Sequence, residues 1–305
     1  MILTVTPNPT WDVTYRLPVL VAGAALRVRE VTSQAGGKGV NVARTVRHLG
    51  GHAHVVAPVG GPTGQRLQEQ LTDVPTTWVP IAAQTRTCVA VLPDRPGHDD
   101  AGHPTVLNEP GPPVTGAEWD LLTATVGGLA AHADAVVIAG SLPAGVDQEM
   151  WSDLIAVSLP APTLVDTSGS PLLWAAQAGA TVVKSNRSEA EQATGQVGVD
   201  DAAATLLQLG ARHVVITDGA RGLGYFTADS AVWAHCAAAV QGNPTGAGDA
   251  ASAALAINYQ RGPEAALSEA AAVAAASLLQ ELAGAVDPDD VARLRGHVTV
   301  AQVGC

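Results

Sequence analysis

The sequence predicts an α/β fold in which helices cover both faces of a mostly parallel central sheet. Short runs rich in Val and Ile alternate with amphipathic stretches, which is the rhythm of strands and helices in such sheets. These runs are apolar throughout, as expected for parallel strands that are buried on both faces. With 305 residues and 47% apolar residues, the chain is long enough to bury a large core.

The elements of this sheet follow from the pattern along the chain. The predicted strands, in order, are ILTVTP, HVVAPVG, AVVIAG, TLVDTS, TVVKSN and HVVITDG. Predicted helices lie between them, at 39–49, 115–132, 147–158, 170–178 and 200–209. Ligands of open α/β sheets bind beyond the carboxyl ends of the strands, so the residues after each strand are the first candidates for a site.

Two regions, 12–33 and 85–108, contain strand-like runs without helices between them. We predict that they pair as a small separate sheet, in preference to edge strands of the main sheet. Residues 93–104, PDRPGHDDAGHP, are rich in Gly, Pro and charge and predict a mobile loop tip. The whole chain, 1–305, is expected to form one domain with these segments inserted.

Composition excludes several classes of function. A formal net charge of -12 argues against a protein that binds nucleic acid or an anionic membrane non-specifically. Cys88, Cys236 and Cys305 have the spacing of neither a disulfide framework nor a metal site, so we expect reduced thiols in the cytoplasm. The N-terminus lacks the features of a signal peptide, and the run AAAVAAASLLQ is too short to span a bilayer.

The glycine-rich stretch GGKGVN at 36–41 predicts a close backbone approach to a ligand at a helix start. Lys38 adds positive charge, and Asn41, one turn later, could hydrogen-bond a hydroxyl. Asp12, after the first strand, could accept bonds from sugar hydroxyls. Each has an ordinary alternative: a glycine turn with a surface lysine, and a solvated turn aspartate.

Polar residues in the segments predicted to form the small sheet also suggest an anion site. The Arg86 guanidinium has the geometry to bind a phosphate, although a surface Arg on an edge strand is equally consistent. Asn108 is either a polar pocket residue or a turn former. Ser141, in AGSLPAG, follows a strand and could equally belong to an ST turn.

The stretch VKSNRSEAEQ at 183–192 places Lys184 and Asn186 at the end of a strand. Glu189 lies three residues after Asn186, a spacing that is typical of a helix N-cap. The same spacing puts a carboxylate where hydrated Mg²⁺, which takes few protein ligands, could bind.

The stretch ITDGARGLGYF at 216–226 is a strand followed by a glycine-rich turn. Thr217, Asp218 and Gly219 could contact a nucleotide. A β-hairpin turn explains the same residues without a ligand.

The stretch NPTGAGDAASAALA at 243–256 presents successive backbone N–H groups at a helix start, which is an anion-binding arrangement. Asp249 lies in the first turn of that helix. It could cap the helix, which stabilises it by about 1 kcal/mol, or act as a general base beside a phosphate.

Together these stretches resemble the ribokinase-like (PfkB) carbohydrate kinase family. GGKGVNVARTVRHLG and NPTGAGDAASAALA match its two signatures in order and separation, with VKSNRSEAE and TDGARG between them. The resemblance extends over nearly the whole chain. TPNPTWDVTY, TRT, LNEPGP, GSLPAGV and DTSG are most similar to the phosphosugar kinases, namely 1-phosphofructokinase and tagatose-6-phosphate kinase.

The resemblance implies a three-layer α/β/α sandwich with a small β-sheet lid that often serves as a dimer interface. It implies phosphorylation of a sugar phosphate, with fructose 1-phosphate our first choice, by ATP and Mg²⁺, and no nucleic acid or membrane partner. The implied roles are Asp249 as base; Gly246, Ala247 and Gly248 as anion hole; Asp12, Gly37, Lys38, Asn41, Arg86, Asn108 and Ser141 for the sugar phosphate; Lys184, Asn186, Thr217, Asp218, Gly219 and Gly222 for ATP; and Glu189 for Mg²⁺.

Three features depart from the usual pattern of the family: Pro244, Ala250 and the Ala-rich helix on the adenine side. Pro244 has no N–H to donate. They leave open a tagatose 6-phosphate, fructose 6-phosphate, free-sugar or nucleoside acceptor. A non-catalytic homologue is a third hypothesis, against which the presence of Asp249 and Glu189 argues.

Overall fold

The computed structural model describes residues 1–93 and 104–303, and it confirms the predicted α/β fold. The loop tip predicted at 93–104 lies outside the described residues apart from its two ends. The strands are β1 (Ile2–Val5), β2 (Thr10–Leu17), β3 (Glu30–Gly36), β4 (Ala53–Val59), β5 (Thr76–Pro80), β6 (Arg86–Pro93), β7 (Thr105–Asn108), β8 (Ala135–Ala139), β9 (Thr163–Asp166), β10 (Val182–Asn186), β11 (His213–Thr217), β12 (Leu223–Phe226), β13 (Ala231–Cys236) and β14 (Val298–Val303).

The helices connect and cover these strands. They are α1 (Lys38–His48), α2 (Gly61–Gln70), α3 (Gly116–Ala130), α4 (Gln148–Ser158), α5 (Ser170–Gln177), α6 (Arg187–Thr194), α7 (Val199–Leu209), α8 (Ala247–Asn258), α9 (Pro263–Ser277) and α10 (Pro288–Arg295). Every strand and helix that was predicted for the main sheet is present, within one or two residues at each end. None of the helices in the described ranges combines the length and hydropathy that a membrane crossing requires.

Within the described residues the main sheet has ten strands, in the order β14-β13-β12-β11-β10-β9-β8-β1-β4-β5. The seven strands from β11 to β5 are parallel, and β12, β13 and β14 continue the sheet in antiparallel pairing. The carboxyl ends of the parallel strands therefore meet along one edge, which is where sites form in such sheets.

The segments without helices form a separate four-stranded sheet in the order β3-β2-β6-β7, as predicted. We call this sheet the lid. Strands β2 and β6 are parallel neighbours, and Thr10 lies opposite Arg86 in their register. This pairing brings the predicted substrate residues of the two segments to one place, although 76 residues separate Thr10 and Arg86 along the chain.

Two hydrophobic clusters cover the two faces of the main sheet, because alternate residues of each buried strand point to opposite faces. In β8, Val137 belongs to one cluster and Val136 and Ile138 to the other. Helices α8 and α9 meet in the first cluster almost entirely through alanines. Such small side chains allow the two helix backbones to approach closely, which holds the start of α8 rigidly beside the strand ends.

Candidate active site

A single cavity of about 1230 Å³ lies between the lid and the carboxyl ends of the parallel strands. It receives residues from both, so the topology brings together side chains that are far apart in the chain. Most of the predicted site residues line it: Asp12, Gly37, Lys38, Asn41, Arg86, Asn108, Lys184, Asn186, Glu189, Thr217, Gly219, Gly222, Gly246, Ala247, Gly248 and Asp249.

Two predicted residues, Ser141 and Asp218, are described by the structure but lie outside the lining of this cavity. The Ser141 hydroxyl accepts a hydrogen bond from Asn8 Nδ2 at 3.0 Å, and the Asn8 carbonyl accepts from Arg86 at 3.1 Å. Ser141 is therefore connected to the cavity only through Asn8. The Asp218 carboxylate pairs with Arg221 at 3.0 Å and with Arg187 at 3.6 Å.

Asp249 lies in the first turn of α8 and is only 6% exposed. Its Oδ2 accepts a hydrogen bond from Asn41 Nδ2 at 2.8 Å, which joins the two glycine-rich stretches of the sequence. The N-cap of α8 is Gly246, and no side chain of the described residues caps this helix. The geometry thus favours the base over the cap for this carboxylate.

Burial raises the pKa of Asp249 to about 6, and the nearby Lys38 ammonium limits the rise. The Asp166 carboxylate acts in the same direction as burial. A carboxylate with a pKa just below neutral pH is mostly ionised in the cell and still a strong enough base to accept a proton from an alcohol. The environment of Asp249 therefore suits general-base catalysis.

At the start of α8, one of the three amides predicted for the anion hole has a backbone partner. Gly246 has a φ of 88°, a left-handed conformation that glycine adopts readily, and it turns the chain into the helix. The Ala247 N–H donates to the Pro244 carbonyl at 3.2 Å and so closes the preceding turn. The Gly246 and Gly248 amides are left as the better candidates for an anion hole, since the first N–H groups of a helix have no intrahelical partner.

Asp166, at the end of β9, is a residue to which the sequence analysis gave no role. Its two carboxylate oxygens contact the ammonium groups of Lys38 at 3.0 Å and Lys184 at 2.6 Å, and the Ser252 hydroxyl donates to it at 2.8 Å. We call these four residues the Asp166 cluster. Its position near the carboxyl end of the predicted strand TLVDTS was the signal that could have identified it.

The Asp166 cluster sets the charge of the cavity. Burial alone would raise the pKa of Asp166, but Lys184 and Lys38 outweigh burial and hold this pKa well below its usual range. The Asp166 charge in turn raises the pKa of Lys38 above its ordinary value. Lys184 reaches the anion-hole side as well, because its Nζ lies 3.4 Å from the point where a Cβ on Gly248 would be. Two ammonium groups are thus held beside Asp249.

On the lid side, the Asp12 carboxylate occupies the space that a side chain on residue 36, a glycine, would need. A Cβ on Gly36 would lie 1.9 Å from Asp12 Oδ2, so a larger residue there would displace this carboxylate. Burial raises the pKa of Asp12 to about 6, against the effect of a hydrogen bond with Thr10 and the charge of Arg86. Asn41 Oδ1 is also buried and has no hydrogen-bond partner among the described residues, as expected of an acceptor that awaits a ligand hydroxyl.

On the other side, β10, β11 and α9 form a slot with polar strand ends and an apolar wall. Asn186 and Glu189 make a reciprocal capping box at the start of α6, so the N-cap alternative for these residues is realised. Both also line the cavity, and Glu189 keeps a carboxylate at its surface. The apolar wall comes from Ala271, Ala274, Ala275 and Leu278.

The donor set fits a divalent metal that keeps most of its water. Within the described residues no group of three or more His, Cys, Asp or Glu side chains converges as a metal site. Asp166 is already saturated by two lysines and a serine, whereas Glu189 keeps its carboxylate at the cavity surface. Mg²⁺ commonly binds through substrate phosphates and water with one or two carboxylates, which is compatible with this arrangement.

Comparison with known proteins agrees with this geometry. The model of the pfkB family of carbohydrate kinases matches residues 7–290, which is most of the chain. The chain belongs to the pfkB family. It is therefore a sugar kinase, a phosphotransferase with an alcohol group as acceptor.

Solved structures of similar proteins have the same fold as this pfkB chain. It is similar to phosphofructokinase-2 from Escherichia coli, with 27% identity, a TM-score of 0.88, and coverage of 97% of this chain and 98% of that one. A possible 1-phosphofructokinase from Thermotoga maritima has 21% identity, a TM-score of 0.84 and coverage of 99% of each chain, a likeness that shows the fold alone. Membership in this family implies the use of ATP and typically of a divalent metal.

Proposed function

We propose that this pfkB kinase phosphorylates a hydroxyl of a sugar phosphate with ATP and Mg²⁺, and that fructose 1-phosphate is converted to fructose 1,6-bisphosphate. One observation carries the proposal: Asp249 lies in the same cavity as a cationic, hydroxyl-binding side and an anion-binding helix start. The cationic side is formed by Lys38 and Arg86, which suits an acceptor that already has a phosphate. Both substrates are cytoplasmic metabolites, and we propose that the enzyme acts there.

In the proposed reaction, the acceptor hydroxyl binds beside the hydrogen-bonded pair of Asn41 and Asp249. Its oxygen attacks the γ-phosphorus of ATP while its proton passes to the Asp249 carboxylate, and the bond to the β-phosphate oxygen breaks to release ADP. The Gly246 and Gly248 amides and the Lys184 ammonium stabilise the charge on the transferred phosphoryl group. When bound, Mg²⁺ neutralises phosphate charge on the nucleotide, and Glu189 would hold it through water. Closure of the lid excludes water and so limits ATP hydrolysis.

The pH dependence of kcat follows from the pKa of Asp249. The base acts only when ionised, so we expect kcat to fall by about tenfold per pH unit below the pKa that Asp249 has in the substrate complex; in the free enzyme this pKa is about 6. Lys38→Met removes the positive charge that stabilises the carboxylate, and the midpoint should move to higher pH. The measurement is a pH profile of kcat at saturating substrates, which separates Asp249 from effects of Asp12 on acceptor binding. An unmoved midpoint in Lys38→Met would assign the titration to another group.

The acceptor is tested by an ATP-consumption panel with purified enzyme. The expected order places ketohexose monophosphates, with fructose 1-phosphate first, above free sugars and nucleosides. Activity confined to unphosphorylated acceptors would overturn the proposal of a phosphosugar kinase while leaving the family assignment intact.

Fructose 6-phosphate is the second candidate acceptor, and a specific comparison favours it. The Escherichia coli phosphofructokinase-2 structure in complex with fructose 6-phosphate is 27% identical and has a TM-score of 0.86. Both candidates yield fructose 1,6-bisphosphate, so the panel must compare them by kcat/KM rather than by product. Tagatose 6-phosphate belongs in the same comparison.

Arg86 separates phosphorylated from unphosphorylated acceptors. In the structure its guanidinium donates to the carbonyls of Glu109 and Asn8 at 3.2 and 3.1 Å, and its Nε is buried without a partner among the described residues. We expect Arg86→Ala to raise the KM for a sugar phosphate by roughly tenfold to a hundredfold, since a charge-assisted bond to phosphate is lost. The KM for ATP should stay within about twofold of the wild-type value.

The matched control for Arg86→Ala is Arg66→Ala, which removes an exposed arginine of α2. Arg86→Lys keeps the charge without the planar fork and should fall between Ala and the wild type. An unchanged KM for every sugar phosphate in Arg86→Ala would contradict the placement of the acceptor phosphate at this residue.

We propose further that residues 1–305 form one domain and that two copies associate through the lid as a homodimer. The lid strands β3 and β7 carry exposed apolar side chains outside the cavity lining, with Val31 60% and Leu107 60% exposed. Exposed apolar side chains gathered on one small sheet are typical of an association surface.

The dimer is tested by charge at its proposed centre. Leu107→Asp should shift the protein from dimer to monomer in sedimentation analysis, because a carboxylate would have to be buried in the interface. Val197→Asp, at an 85% exposed position between α6 and α7, is the matched control and should leave the mass unchanged. A wild-type monomer at micromolar concentration would remove the proposal.

A further inference from the structure

The loop that precedes α8 lies directly against the segment that follows α9. A Cβ on Gly242 would lie 1.8 Å from the Leu278 carbonyl oxygen, so no side chain fits there. The Asn243 backbone N–H donates to the same carbonyl at 2.8 Å. Farther along, a Cβ on Gly246 would lie 2.9 Å from the Ala283 Cβ. The position of the α8 start therefore depends on the position of residues 278–284.

The Asn243 side chain connects the two segments, and both polar atoms of its amide form hydrogen bonds. Its Nδ2 donates to the Glu281 carbonyl at 3.0 Å, and its Oδ1 accepts from the Thr245 N–H at 3.0 Å. Pro244 lies between Asn243 and Thr245, and this turn needs no N–H from it. The Pro244 carbonyl accepts a hydrogen bond from the Ala247 N–H. The amide thus fixes the turn from which the Gly246 and Gly248 N–H groups emerge.

The same segment is attached to the substrate side of the cavity. The Thr45 hydroxyl of α1 donates to the Gly284 carbonyl at 3.2 Å. A Cβ on Gly284 would lie 3.0 Å from the Asn41 Cα, so the segment passes close beside the residue that holds Asp249. Residues 278–284 therefore place the α8 start relative to α1, and Asn243 is a side-chain connection between them.

We propose that Asn243 is a positioning residue for the anion hole: its amide holds the N–H groups of the α8 start in register with Asp249 and Asn41. The inference rests on the proposed function, since it assigns a role in the same phosphoryl transfer. Because Asn243 lies on the α9 side and the acceptor residues Asp12 and Arg86 belong to the lid, its loss should act on turnover more than on acceptor binding.

Three substitutions test this role by steady-state kinetics. Asn243→Ala removes both side-chain bonds and should lower kcat on the order of tenfold to a hundredfold, as expected for groups displaced by a fraction of an ångström to 1 Å. Asn243→Ser keeps a short acceptor for the Thr245 N–H and should be intermediate. Asn243→Asp keeps that acceptor but sets a carboxylate oxygen against the Glu281 carbonyl, so it should lose about as much as Ala. In all three, the KM of the sugar phosphate should stay within about twofold.

The matched control is Asn258→Ala at the other end of α8, where the amide donates to the Ala254 carbonyl at 2.9 Å. It also removes a side-chain bond to the backbone, but away from the cavity, and should leave kcat unchanged. A kcat within twofold of wild type for Asn243→Ala, or a raised acceptor KM at constant kcat, would overturn the inference. If Asn243→Ala does not fold, the other two variants test the inference: kcat of Asn243→Ser should exceed that of Asn243→Asp, and the reverse order would overturn it. A wild-type enzyme inactive on every acceptor would refute the proposed function instead.

Discussion

Asp249→Asn is expected to lower kcat by about a thousandfold, within the range of 10² to 10⁴ that is typical for loss of a general base. The amide matches the carboxylate in size, but it cannot accept the proton of the acceptor hydroxyl. It should still fit the space beside Asn41, which now donates to Asp249 Oδ2 at 2.8 Å. The measurement is single-turnover and steady-state kinetics with the best acceptor of the panel, together with nucleotide binding.

The control for Asp249→Asn separates catalysis from capping. Asp147 caps α4 through a bond from the Met150 N–H, so Asp147→Asn tests a helix-capping aspartate outside the cavity lining. Asp147→Asn should leave kcat unchanged. Turnover of Asp249→Asn close to that of the wild type would show that another group, or water, takes the proton.

Asp166→Asn should impair both stability and activity. It leaves the Lys184 ammonium, whose side chain is 3% exposed, buried without its counter-charge. Breaking a buried ion pair in this way costs about 3–5 kcal/mol in the free energy of unfolding. Lys38 loses the same partner, so both ammonium groups shift beside Asp249, and kcat/KM should fall by roughly a hundredfold. Urea unfolding and steady-state kinetics give the two numbers.

A double substitution distinguishes the structural effect from the catalytic one. Asp166→Leu with Lys184→Met replaces the buried pair by apolar side chains of similar size, which commonly restores stability. We expect the free energy of unfolding to recover while the kinetic defect persists. Recovery of activity along with stability would mean that the Asp166 cluster serves only the fold.

Local sequence was sufficient for six of the seven parallel strands of the main sheet, because they are short apolar runs that alternate with helical stretches. It did not identify β5, the edge strand that pairs with β4. Local sequence also identified the glycine-rich stretches of the site, because a backbone that approaches a ligand or another backbone closely needs glycine. The three antiparallel strands β12 to β14 extend the sheet beyond the predicted set, and nothing in their short alternating sequence fixes which edge they join.

Several contacts at the site depend on partners that residue type and spacing do not specify. Asp166 became important only through lysines 128 and 18 residues away. The Ala247 N–H donates to the Pro244 carbonyl, a partner that the sequence analysis did not predict. Asp218 was drawn to Arg221 by an ion pair whose geometry depends on the short turn between them. Residue type and spacing predict what a group could do, whereas these outcomes were decided by competing neighbours.

The bond between Asn41 and Asp249 joins residues 208 positions apart, and the bond between Thr45 and Gly284 joins residues 239 positions apart. During synthesis, the glycine-rich start of α1 must therefore wait for nearly the whole chain to leave the ribosome. Until then, the alanine-covered face on which α8 and α9 pack stays open to solvent. Contacts between such distant residues slow folding and lengthen the time during which apolar surface can aggregate. The contacts that assemble the site in the native state thus leave the nascent chain dependent on residues 247–284.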